Sequence, residues 1–201
     1  MKYVLLLSML KFVYTFSLNN KLYITPSRLQ TKVWRQNQNW YKDGKQNECE
    51  IYQRSVIETI TEQPCVKTNK RIHNNSKKLY DVNFPLKNKD GFEWTENFDG
   101  YMKSKDRDFY FNLKIICNSG GAQTRYLRNV YHFMNSQLHH LSKYEYLNKK
   151  VYFINILDGD VCYKHIDKFY FLINKAEFKN VKENIFVGDM SEFQKYWNKY
   201  N

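Results

Sequence analysis

Residues 109–117 read FYFNLKIIC. The run is so rich in aromatic and β-branched side chains that it suits a β-strand packed against apolar groups. Lys114 nevertheless stands inside it. An ammonium group taken out of water in such a strand costs several kcal/mol unless something compensates it. Two readings account for it. The strand can lie at a sheet edge, where a lysine discourages aggregation, or the lysine can be kept there for a functional role.

Side chains alternate along a strand, so Asn112 and Lys114 point to the same face. Upstream, FEWTENFDG (92–100) is expected to be a strand ending at Gly100, and MKSKDRD (102–108) a polar hairpin loop. The resulting antiparallel hairpin brings Asp99 close to Asn112 and Lys114. The competing reading of Asp99 is a turn residue in Asp-Gly. An acid, an amide oxygen and a lysine at one sheet end can do hydrolytic chemistry. The acid holds Mg²⁺ through oxygen, and the metal polarises a phosphodiester and helps generate hydroxide. The lysine orients the water or stabilises charge building on the phosphate.

The flanking segments predict the framework. ECEIYQRSVIETI carries apolar residues at Ile51, Val56, Ile57 and Ile60, which suits one helix before Pro64. KTNKRIHNNSKK (67–78) is a basic loop, either solvated or a clamp on phosphates through residues such as Lys70 and Arg71. KLYDVNF reads as a short strand before Pro85. After the NSGG turn, Leu127, Val130, Met134, Leu138 and Leu141 recur at helical steps, with Arg125, Arg128, His132 and His139 on the other side. KVYFINILDGD is a strand, HIDKFYFLINK a helix, NIFVGD a short strand and SEFQKYWNKY a closing helix with Ser191 as its N-cap. This order predicts an α/β sandwich with a mixed sheet. The chain of 201 residues is expected to be a single domain, with residues 1–79 an N-terminal helical and loop elaboration and 80–201 the α/β core.

Charge narrows the partner. The net charge is +12, which points to a polyanion: nucleic acid first, an anionic membrane surface second. The four cysteines form no CxxC pair and no zinc-like spacing. Buried free thiols in a reducing, intracellular compartment are the expectation. The first twenty residues have some signal-peptide character, but Lys11 interrupts the apolar run and no small-x-small cleavage site is obvious. A buried helix or strand is the preferred reading there. The two acids of LDGD, Asp158 and Asp160, read as a turn or, alternatively, as a metal pair. The histidines His132, His139, His140 and His165 lack zinc-like partners.

The succession FDG, FYFNLK, GGAQTR and a basic helix resembles the PD-(D/E)XK restriction-endonuclease-like nucleases, over roughly residues 50–190. The resemblance implies a restriction-endonuclease-like sandwich, a mixed β-sheet flanked by helices. It also implies a Mg²⁺-dependent endonuclease acting on double-stranded DNA, of type II restriction-like character. By position, Asp99 would be the first metal ligand and Lys114 the catalytic lysine. The family's second acid falls on Asn112, which offers a carbonyl oxygen without charge, so a replacement carboxylate is expected from Glu96 or Glu93 on the preceding strand or Glu58 on the earlier helix. Gln123, Thr124, Arg125 and Arg128 would face the DNA at the start of their helix. Cutting at a specific site would involve a homodimer on a palindrome. The alternatives are a catalytically inactive DNA-binding module of the same fold and, more distantly, a secreted basic protein.

Overall fold

The computed structural model describes residues 31–82, 92–117, 121–144 and 150–200. The N-terminal apolar run lies outside the described residues, as do Asn118–Gly120 of the predicted turn. Helix α1 spans Thr31–Gln36 and α2 spans Gln46–Thr61. Strands β1 (Lys70–Ile72) and β2 (Leu79–Asp81) form a two-stranded antiparallel sheet. The main sheet is built from β3 (Gly100–Ser104), β4 (Arg107–Ile115), β5 (Val151–Asp158) and β6 (Ile185–Gly188) in that spatial order. β3 and β4 are antiparallel, and β4, β5 and β6 are mutually parallel. Helix α3 (Gly121–Lys143) links β4 to β5, and α4 (Asp160–Lys164) and α5 (Ile166–Ile173) lead towards β6. Helix α6 (Met190–Tyr200) closes the fold. The architecture is mixed α/β, a four-stranded mixed sheet flanked by helices.

Strand alternation sorts the core into two layers. One layer packs Tyr110, Ile116, Phe153 and Leu157 against Leu127, Val130, Met134, Leu138 and Leu141 of α3 and Phe169 and Leu172 of α5. The other packs Phe109, Phe111, Leu113, Ile154 and Ile156 against Val56 and Ile57 of α2 and Phe193 and Trp197 of α6. The predicted apolar stripe of α3 is therefore the buried one. That of α2 holds only in part, because Ile51 is 56% exposed.

The hairpin differs from the sequence reading. Residues 92–98 form no strand beyond a single bridge at Trp94, and the supposed loop MKSKDRD supplies both arms of the hairpin. Ser104 pairs with Arg107, so the turn is only Lys105-Asp106, with Lys105 at φ 55°. Tight turns of this kind need a positive φ, which suits the twist of the strands they join. The short strand expected in KLYDVNF is β2, and it pairs with β1 inside the basic 67–78 segment, in place of the loop expected there. That segment is also tied down: the Lys77 carbonyl accepts from His140 Nδ1 at 2.7 Å, and the Ser76 carbonyl accepts from Lys143 Nζ and the Tyr144 hydroxyl. The N-cap of α6 is Asp189 rather than Ser191. Asp189 Oδ1 accepts from the Glu192 amide at 2.9 Å while Glu192 Oε2 accepts from the Asp189 amide at 2.8 Å, a reciprocal capping box.

Candidate functional site

The hairpin pairing ends where Gly100 faces Phe111, leaving the outward amides further along β4 without a strand partner. Asp99 fills the gap. Its backbone amide donates to the Phe111 carbonyl at 2.8 Å, and its Oδ2 accepts from the Leu113 amide at 2.8 Å. The same oxygen lies 3.1 Å from Lys114 Nζ, which also reaches Glu96 Oε2 at 3.2 Å. Lys114 and Asp99 are each 7% exposed. Burial alone would push the Lys114 ammonium towards its neutral form. The charges and hydrogen bonds of Asp99 and Glu96 outweigh that, and its pKa ends above the ordinary lysine value. The lysine inside the apolar strand is thus compensated by two acids at the end of the hairpin.

Helix α2 brings a third acid that the sequence reading missed. Glu50 is half-buried, and burial followed by the negative charge of Asp99 pushes its carboxyl above the ordinary range, against the pull of Lys114, Arg54 and Lys67. Arg54, one turn along, donates from a guanidinium nitrogen to the Asp99 carbonyl at 2.7 Å. The signal was available in the spacing. Glu50, Gln53 and Ile57 lie three and four residues apart, so the polar pair continues the buried stripe of α2 towards its N-terminus. Glu58 faces elsewhere: it is exposed and its Oε1 accepts from the Cys65 amide at 2.9 Å. Glu93 is exposed and lies 3.6 Å from His73 Nε2, whereas Lys114 pairs with Glu96 and Asp99.

Asn112 belongs to a buried amide ladder on the α3 side of the sheet. It faces Asn155 across β4 and β5, and its Nδ2 donates to Asn155 Oδ1 at 3.0 Å. Gln137 of α3 donates to the same oxygen at 3.1 Å, and Asn155 Nδ2 donates to Gln137 Oε1 and to the Phe186 carbonyl. Those two donations fix the orientation of Asn155, so position 112 must offer it a donor. A carboxylate at 112 would face an oxygen instead. Asn112 Oδ1 is buried and has no hydrogen-bond partner among the described residues.

The other acids of the sequence reading are placed apart. Asp158, at the end of β5, is buried against α2 and α6. Its Oδ2 accepts from Gln53 Nε2 at 2.8 Å and its Oδ1 from the Met190 amide at 3.1 Å. Burial, only partly offset by these bonds, pushes its carboxyl up to about 7. Asp160 begins α4 after Gly159, whose φ of 106° makes the turn. Arg125 and Arg128 are exposed on the first turns of α3, with Thr124 exposed and Gln123 half-buried beside them. Lys70 pairs with Asp81 at 3.5 Å. Arg71 donates to the Thr95 carbonyl and to Asn97 Oδ1, which fixes the backbone leading to Glu96. All four cysteines are buried free thiols, and burial pushes Cys65 to about 12 and Cys117 to about 11.

The donor set suits a hard cation in its chemistry: carboxylate oxygens, with three acids set against Lys114 and Arg54. Among the described residues no three His, Cys, Asp or Glu side chains converge closely enough to cage an ion. No described helix is long and apolar enough to cross a membrane. Comparison with protein-family models, curated proteins and solved structures finds no match to this chain.

Proposed function

We propose that the protein is a Mg²⁺-dependent endonuclease of restriction-endonuclease-like fold, hydrolysing phosphodiester bonds in DNA. The observation that carries the reading is the buried Lys114, bridging Asp99 and Glu96 at the end of β4. A stability role alone gives little reason for this arrangement, since a buried ion pair is often no more stabilising than apolar side chains of similar volume.

In this reading Asp99, with Glu50 as the second acid, would hold the metal, which when bound polarises the phosphodiester and acidifies a water, while Glu96 pairs with Lys114. Asp99 is kept in place by the Leu113 amide and, through its backbone, by Arg54. Lys114 carries its proton throughout the neutral range, so it acts as a fixed positive charge beside the phosphate rather than as a base. Glu50 takes the position of second acid, while Asn112 supports the sheet behind it. Arg125 and Arg128, with the 67–78 segment, contact phosphates. A homodimer on DNA accounts for site-specific cutting.

The buried ladder around Asn112 favours a second reading, a DNA-binding module without catalysis. Plasmid and phage DNA incubated with the protein in Mg²⁺ or in EDTA separates the two. Discrete fragments only in Mg²⁺ support the nuclease. Intact DNA that still shifts in a gel at low salt supports the binding module, and neither cutting nor shifting contradicts both.

A further inference from the structure

One face of α3 carries a stripe of unusual chemistry. Arg125, Tyr126, Asn129, His132 and Ser136 recur at helical spacing and line two adjoining hollows of about 300 and 250 Å³, with Asn129 common to both. From Ala122 to Ser136 the track runs about 21 Å at 1.5 Å per residue. Its far wall is Asn74, Thr95 and Glu96, and Glu96 is the acid that pairs with Lys114. The track therefore ends at the candidate site.

Its side chains are accessible to a ligand. Asn129 and His132 are exposed, and Ser136 is 5% exposed but lines the hollow. All three line the hollow that Glu96 walls. Tyr126 is 57% exposed and shares the outer hollow with Arg125. An exposed aromatic ring beside a cation is the pairing that binds unpaired nucleic acid, the ring stacking on a base and the cation holding the phosphate. The amide, imidazole and hydroxyl beyond it offer hydrogen bonds to base edges, which paired bases largely withhold. Each hollow is at or below the small end of ordinary ligand sites, about 300–1,000 Å³, and so suits one nucleotide rather than a duplex.

Resting on the nuclease reading, we propose that α3 guides a single unpaired DNA strand into the site. The preferred substrate is then a single strand, an overhang or a flap whose cut strand has left the duplex.

The test is fluorescence anisotropy in EDTA, with a labelled 20-nucleotide single strand and a blunt duplex of the same sequence. Cutting is then measured on both in Mg²⁺. The single strand is expected to bind at least tenfold more tightly than the duplex. Tyr126→Ala is expected to lose about tenfold in single-strand affinity, as removal of one stacking partner does, and to leave duplex affinity within twofold. Tyr126 is on the surface, so this variant folds; Asn129→Ala provides a second surface change with the same direction. Equal or tighter duplex binding, or an unchanged single-strand affinity in Tyr126→Ala, overturns the proposal. Tight single-strand binding without cutting of either DNA sinks the nuclease reading and leaves the track standing. Duplex cutting without single-strand preference does the reverse.

Discussion

Replacing Lys114 with methionine removes the charge and keeps most of the stem. Asp99 then remains 7% exposed with one hydrogen bond, from Leu113, and no cation on its carboxylate. Unit charges 3.1 Å apart attract by about 5 kcal/mol at an effective dielectric constant of 20. Glu96, whose side chain is 37% exposed, adds less because water screens it. Breaking one side of a buried pair costs about 3–5 kcal/mol in proteins, and retained packing of the stem offsets some of this. The expected loss is about 3 kcal/mol, read by urea unfolding with tryptophan fluorescence. Lys114→Met combined with Asp99→Asn removes both charges while the amide oxygen still accepts from Leu113. The double variant is expected to recover at least about 1.5 kcal/mol relative to the sum of the singles. A single-variant loss under about 1 kcal/mol, or simple additivity in the cycle, would refute the view that Asp99 and Lys114 form one coupled buried unit.

Three other outcomes follow from the geometry. The Asp158 carboxyl has a folded pKa of about 7 against an ordinary 3.8. Its contribution to stability therefore declines as pH rises from about 4 to about 7 and is level above that. Asp158→Asn should abolish the decline and stabilise the protein above pH 7, by at most about 4 kcal/mol at 1.36 kcal/mol per pH unit. Gln53 can turn its amide to meet the new donor, since its Oε1 is buried without a partner; an undiminished pH slope in denaturant titrations of the variant would contradict the assignment. Gly159→Ala places a methyl against the Ile116 carbonyl at a φ of 106°, and a loss of about 2–4 kcal/mol is expected in the same unfolding assay. Glu50→Gln should raise the Mg²⁺ needed for half-maximal cutting by about 10–100-fold. A Mg²⁺ titration of the cutting rate in wild type and variant checks this.

The strong periodicities carried over from sequence to structure, and the irregular segments did not. FYFNLKIIC, KVYFINILD and the stripe of α3 are long and strongly patterned, so burial leaves each only one sensible state. MKSKDRD was misread because its polarity resembles a loop. In fact Tyr101 and Met102 face opposite layers, and Lys103 sits on an edge strand where a charge is tolerated. The pairing of Asp99 with Lys114 depends on the turn at Lys105-Asp106, which sets Gly100 opposite Phe111; a hairpin of strands 92–100 and 109–117 would set Asp99 near Tyr110 instead. Glu50 was not legible, since a helix reveals its inward polar residues only once its partner surface is known. Nor was the role of Asn112: its ladder depends on Asn155 and Gln137, 43 and 25 residues away, and Asn155 lies one helix and one strand further along the chain.

The most direct measurement is the rate at which supercoiled plasmid is cut in saturating Mg²⁺ by wild type and by Lys114→Ala, each first shown to be folded by its fluorescence unfolding curve. The account predicts Mg²⁺-dependent cutting by wild type and a loss of at least about 100-fold in the variant, the scale seen when one charge-stabilising group is removed from an active site. Equal rates in the two proteins would contradict it.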